Sequence, residues 1–113
     1  MRKLYHPKIE DLTVEGILYA LSDPVRVQIF IELAGAQCTK NCSTFLNVSN
    51  KSLPKSTLSQ HFTIMREAGL IFSHRKGVEL HNHTRCAELK ERFGEMMGAI
   101  IKAYLAQQSS HNK

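Results

Sequence analysis

The chain has 113 residues, 42% of them hydrophobic, and a formal net charge of +5. That length predicts one domain over residues 1–113 with its own core, and three cysteines are an odd count that excludes a full disulfide framework. No apolar run approaches the roughly 20 residues of a membrane span, and Met1–Pro7 is basic without an apolar signal core, so a cytoplasmic protein with no membrane partner is expected.

Taken in order, residues 1–8 are expected to be flexible. Residues 9–21 carry Leu12, Val14, Ile17, Leu18 and Leu21 at helical spacing and predict a short amphipathic helix. Asp23-Pro24 opens a second helix: the carboxylate can cap free amides, and a proline at the first helical position sacrifices no hydrogen bond. That helix is apolar nearly all round, which predicts a central, buried position, with Gly35 as its stop. In residues 37–53, Thr44-Phe45-Leu46 suggests a short helix and 48–52 a loop. Pro54 then marks the start of a helix running to about Ala68.

This third helix has two unlike faces. Leu58, Phe62, Ile64 and Met65 are spaced to meet a core, whereas Ser59, Gln60, His61, Thr63 and Arg66 look outward. The outward face offers hydrogen-bond donors and acceptors with little bulk, which suits the major groove of DNA. Gly69 supplies the left-handed residue that ends a helix. Leu70-Ile71-Phe72 and Val78-Glu79-Leu80 then flank Arg75-Lys76-Gly77, the pattern of a hairpin turning at Gly77. Helical spacing returns near Cys86 and runs through Leu89, Phe93, Met96, Met97, Ile100, Ile101, Tyr104 and Leu105. Gly94 and Gly98 interrupt this stripe at a bend or a close helix approach, and residues 107–113 are expected to fray. The stripe exceeds what one small core can cover, so with residues 9–21 it forms a candidate dimer surface.

Charge is concentrated in the middle third. Residues 37–76 hold six Lys/Arg against Glu67 alone, a net +5. The flanking thirds come to −1 and +1. Such a stretch either neutralises phosphates or forms a solvated basic face.

Two phrases carry a resemblance. Ala20-Leu21-Ser22-Asp23-Pro24-Val25-Arg26 opens a helix on Asp-Pro followed by an arginine. Ser56-Thr57-Leu58-Ser59-Gln60-His61-Phe62 precedes Arg66-Glu67-Ala68-Gly69-Leu70. In this order, with a basic hairpin after them, they resemble the ArsR-type winged helix-turn-helix repressors over roughly residues 14–93. The chain departs from the wider family at Pro54, where serine is common. The resemblance implies a mainly α fold with a small β-hairpin, dimerising through its terminal helices. It also implies a cytoplasmic homodimeric repressor that binds double-stranded DNA at an inverted repeat, with residues 54–68 in the major groove and the 70–84 hairpin as the wing.

The residues expected on DNA are Lys55, Ser56, Thr57, Ser59, Gln60, His61, Arg75 and Lys76. Gln60 can pair bidentately with an adenine edge. Ser56 and Thr57 lie where a helix N-terminus attracts an anion. Lys55, Arg75 and Lys76 would neutralise phosphates, the wing pair near the minor groove. His61 admits a second reading as a half-buried residue beside Phe62, and Arg66 either pairs with a carboxylate such as Glu67 or meets DNA.

No cofactor is expected. Cys38 and Cys42, four apart, are the candidate thiolate ligands for a metal; with Cys86 they are also candidates for redox sensing, or all three are structural. The zinc pattern that relatives carry on the last helix is absent, since Glu88, Glu91 and Glu95 have no histidine near them. His81 and His83 share one strand face, where they either bind a metal, titrate near neutral pH, or are simply exposed. An enzyme is not expected, because no glycine-rich phosphate loop, nucleophile elbow or histidine-rich metal motif occurs. The alternatives are a winged-helix interaction module without specific DNA binding, and a thiol- or metal-responsive repressor.

Overall fold

Two turns decide how this chain folds: a buried one that brings residue 12 under residue 69, and an exposed one that reverses the chain at 77–78. They are described from a computed structural model that covers residues 4–36, 40–41 and 53–111. Five helices, α1 (Val14–Ala20), α2 (Pro24–Ala36), α3 (Lys55–Glu67), α4 (Cys86–Phe93) and α5 (Met96–His111), surround a small sheet of β1 (Lys40–Asn41), β2 (Ile71–Lys76) and β3 (Glu79–Thr84). The sheet is antiparallel in the order β1-β3-β2. α2 packs against β3 and α3, and α3 also meets α1 and β2.

The first expected helix is split. Ile9–Asp11 forms one 3₁₀ turn, Leu12 and Thr13 are extended, and α1 begins only at Val14. The cause is Thr13, whose hydroxyl accepts from the Gly16 amide at 3.0 Å and caps α1. The break drives Leu12 into the core. The start of α2 follows expectation: Asp23 Oδ1 accepts from the Val25 amide at 2.8 Å, and Pro24 is the first helical residue. Val27, Ile29, Phe30 and Leu33 are buried, as an apolar central helix requires. Gly35 lies in the last turn of α2, whose described span ends at Ala36.

In α3, Leu58, Phe62 and Met65 are fully buried and Ile64 half-buried, with Leu70 and Ile71 in the same cluster. Each fully buried side chain of this size contributes about 1.5–3 kcal/mol. Three of them outweigh the poor intrinsic helix propensity of a segment rich in Ser and Thr, which costs only tenths of a kcal/mol per residue. The helix ends in a Schellman arrangement: the Gly69 amide donates to Arg66 O at 3.1 Å, the Leu70 amide to Met65 O at 3.0 Å, and Gly69 has φ +84°.

The hairpin lies within the expected 70–84, with Gly77 at φ +66° in a two-residue turn. β1 was not legible: two residues carry no alternation, and only the pairing of Lys40 with Asn82 and Asn41 with His81 defines it.

The expected single C-terminal helix is two helices. Gly94 adopts φ +67°, its amide closes on Lys90 O at 2.8 Å, and α5 starts afresh at Met96. A Cβ at Gly98 would meet nothing within 4 Å among the described residues, so no close approach occurs there inside the protomer. α5 continues to His111, beyond the point where fraying was expected. Residues 6–8, also expected to be loose, are tied down together with Ile9. The His6 ring accepts the Ser73 amide through Nε2 at 3.0 Å, Arg85 donates to Pro7 O at 2.8 Å, and Arg92 donates to Ile9 O. This strap lies along the outer strand β2 and gives its Ser73 amide a partner that no neighbouring strand supplies.

Candidate nucleic-acid interface

The outward side of α3 is built from its first two turns. Pro54 is the N-cap and offers no side-chain hydrogen bond to the first-turn amides. Such a helix start carries the positive end of the helix dipole. Lys55, Ser56, Ser59 and Gln60 are exposed around it, and Thr57 and His61 are half-buried. Thr63 is also exposed, but its hydroxyl donates to Ser59 O at 3.0 Å, one turn back along the helix.

His61 is tied to the rest of the protein. Its Nδ1 lies 3.1 Å from Nη1 of Arg26. Arg26 is only 7% exposed and stays in place through Nε, which donates to Ala20 O at 2.6 Å, and through a longer pairing with Asp23 at 3.9 Å. Its guanidinium also lies over the Tyr19 ring at 5.7 Å. Burial pushes the His61 imidazole below its ordinary pKa; Asp23 pulls it up and Arg26 pushes it down. The half-buried position beside Phe62 is therefore occupied, and the ring still belongs to the outward half of α3.

Arg66 is withdrawn from the outward face on which DNA contact was expected. It is 8% exposed, and its Nε donates to the Ser73 hydroxyl at 3.0 Å. Ser73 in turn donates to Asn82 Oδ1 at 2.5 Å, joining α3, β2 and β3 through buried polar groups. The sequence hides this because Ser73 and Asn82 become neighbours only through strand register. Of the cations at 53–76, Lys55, Arg75 and Lys76 are the exposed ones.

On the wing, Arg75 follows Ile71 and Ser73 on one face and Lys76 follows Phe72 and His74 on the other, so the two cations project from opposite sides of the tip. Val78 at the turn is 98% exposed. His81 and His83 do share a strand face, as expected, and the pairing adds His74 and Phe72 to it. The His74–His81, His74–His83 and Phe72–His83 ring centroids are 5.9, 5.8 and 5.1 Å apart, and His6 stacks on Phe72 at 4.2 Å. His83 Nδ1 is shielded without a hydrogen-bond partner, and burial followed by the His74 charge lowers its pKa. The alternation Phe72-Ser73-His74 and His81-Asn82-His83 was the available signal for this ring cluster.

Cys38 and Cys42 lie outside the described residues. Cys86 is a half-buried free thiol packed against the core at the start of α4. Among the described residues no three His, Cys, Asp or Glu side chains are arranged to hold a metal, and no helix is long and apolar enough to cross a membrane.

No protein-family model matches the chain, and no curated protein matches it by sequence. Solved structures do match. The homodimeric winged helix-turn-helix DNA-binding domain of a possible ArsR-family regulator from Mycobacterium bovis aligns at TM-score 0.62 and 17% identity, over 87% of this chain and 82% of its own. An ArsR-like transcriptional regulator from a Rhodococcus species aligns at 0.55 and 26%, over 85% and 89%. The transcriptional repressor BigR from Xylella fastidiosa aligns at 0.59 and 22%, over 83% and 85%. What the chain has in common with all three is the fold.

Proposed function

We propose that this chain, which has the fold of the ArsR-type winged helix-turn-helix regulators, is a homodimeric transcriptional repressor that reads double-stranded DNA with the outer face of α3. The observation that carries the proposal is the arrangement at Pro54–His61. A helix start to which the N-cap Pro54 gives no side-chain hydrogen bond is ringed by Lys55, Ser56, Ser59 and Gln60, all exposed, while the opposite side of the helix is locked into the core. Solved relatives of the fold include a DNA-binding domain and a repressor, which supports the same reading.

In this reading Gln60 reads a base edge, Ser56 and Thr57 meet phosphate or base at the helix start, and Ser59 and His61 add hydrogen bonds beside them. Lys55, Arg75 and Lys76 neutralise phosphates. The dimer is supported by apolar side chains that the protomer leaves open: Val14, Leu18 and Tyr19 on α1, and Leu105 on α5. A two-fold dimer requires an inverted-repeat operator with half-sites about one helical turn, roughly 34–36 Å, apart.

Two variants separate base reading from phosphate contact. Gln60→Ala is expected to relax preference at one operator position by about 1–3 kcal/mol, with little change on random duplex. An equal loss on both DNAs would show that Gln60 reads no base. Lys76→Ala is expected to weaken every duplex alike and to reduce the slope of log affinity against log salt by about 1. A salt slope near zero in the unmodified protein would point instead to a winged-helix interaction module.

A further inference from the structure

We infer that Arg26 is a positioning residue for the DNA-reading face: it holds His61 as the neutral imidazole with its proton on Nε2, so that His61 supports sequence discrimination only while uncharged. The inference rests on the DNA-binding reading above and goes beyond it by giving the interface a proton-sensitive element.

A guanidinium has five N–H donors and no acceptor. Nη1 of Arg26 lies 3.1 Å from His61 Nδ1, so the lone pair of the contact must belong to Nδ1. A neutral imidazole with a lone pair on Nδ1 carries its hydrogen on Nε2. The tautomer of His61 thus follows from its partner, and the hydrogen on Nε2 can pair with a base acceptor or a phosphate oxygen.

Arg26 cannot easily move aside. Its Nε is held by Ala20 O at the last turn of α1, where helix carbonyls attract a cation, and the side chain is almost fully buried. Protonating His61 would place an N–H on Nδ1, opposite the N–H of an immobile cation. Donor would face donor and charge would face like charge, so the ring would have to turn. The charged groups acting on the ring are Asp23, which favours the cation, and Arg26, which opposes it; Tyr19 below the guanidinium is uncharged. Burial adds to Arg26 and the balance lies with the neutral ring.

Positive charge gained elsewhere near the DNA on acidification strengthens binding to any duplex. The measurable quantity is therefore the ratio of affinities for a selected duplex and a scrambled one, in which that common gain cancels.

The test uses the full chain and a duplex selected from a randomised pool. As the pH is lowered from about 7.5 to about 4.5 the ratio is expected to fall about tenfold in the unmodified protein, the scale of one specific hydrogen bond, with the fall lying below the ordinary imidazole range because burial and Arg26 disfavour the cation. His61→Asn keeps an acceptor for Arg26 but cannot titrate, so its ratio should be lower at the higher pH and flat across the range. Nitrogen chemical shifts should report hydrogen on Nε2 of His61 in the unmodified protein, and a mixture of tautomers in Arg26→Met. A flat ratio in the unmodified protein, or hydrogen on Nδ1, overturns the inference while leaving DNA binding intact. Absence of binding to both duplexes by folded protein overturns the DNA-binding reading itself.

Discussion

Gly69→Ala is expected to destabilise the fold by about 2–5 kcal/mol, the sum of a left-handed backbone penalty and an overpacking cost. Gly69 sits at φ +84°, where an L side chain is strained. The added Cβ would also lie 2.2 Å from Leu12 Cδ2, 2.7 Å from Cδ1 and 2.9 Å from Cγ. Leu12 is itself 3% exposed, so it has no solvent to swing into. Relief would require shifting residues 9–13 or the end of α3, and the second choice disturbs the Schellman bonds that launch the wing. Urea unfolding measures the loss. Gly77→Ala serves as the control: it has φ +66° but open space around it, so only the backbone penalty of about 1–2 kcal/mol applies. If the two variants lose the same stability, the Leu12 contact contributes nothing.

Ser73→Ala is the second large effect, at about 1.5–3 kcal/mol. The hydroxyl does two jobs at once, accepting from the Arg66 guanidinium and donating to Asn82. Removing it takes one partner from a buried cation and one from a buried amide. Hydrogen bonds to charged groups carry more weight than neutral ones, and a buried polar group that loses a partner bears its desolvation cost. The residue is 2% exposed, so the gain from a methyl-sized apolar side chain is small beside that loss. Because the network spans α3, β2 and β3, the same variant should speed exchange of the wing amides with solvent before global unfolding. A midpoint within experimental error of the unmodified protein would sink this account.

Much of the architecture follows from periodicity. Leu58, Phe62 and Met65 predicted the buried side of α3, and Asp23-Pro24 predicted a helix start that the Asp23 cap supports. The exposed candidates Lys55, Ser56, Ser59, Gln60, Arg75 and Lys76 were legible for the same reason: side chains left over from an apolar stripe must face away from it. Arg66 was not legible. Its helical phase lies near the core boundary, and its assignment depended on whether a polar partner existed across α3 and β2. Ser73 is that partner, and no local pattern announces it. The helix break at Gly94 was visible as a weak point, but choosing between a bend and a stop needed the positive φ that only packing sets.

The sequence by itself determined the starts of α2 and α3, the buried face of α3, the turns at Gly69 and Gly77, and the concentration of charge in the middle third. Each of these is local: it depends on spacing of a few residues or on one residue's conformational range. Only the tertiary structure decided that Thr13 splits the first helix, that residues 6–9 strap the outer strand, that Arg66 is withdrawn from the surface, and that Arg26 reaches His61 across 35 positions of chain. The last three join donors to acceptors that are distant in sequence, and polar partners carry no periodicity from which such a pairing can be read; the Thr13 cap is local, but it prevails over the helical spacing of 9–21 only because Leu12 packs in the core.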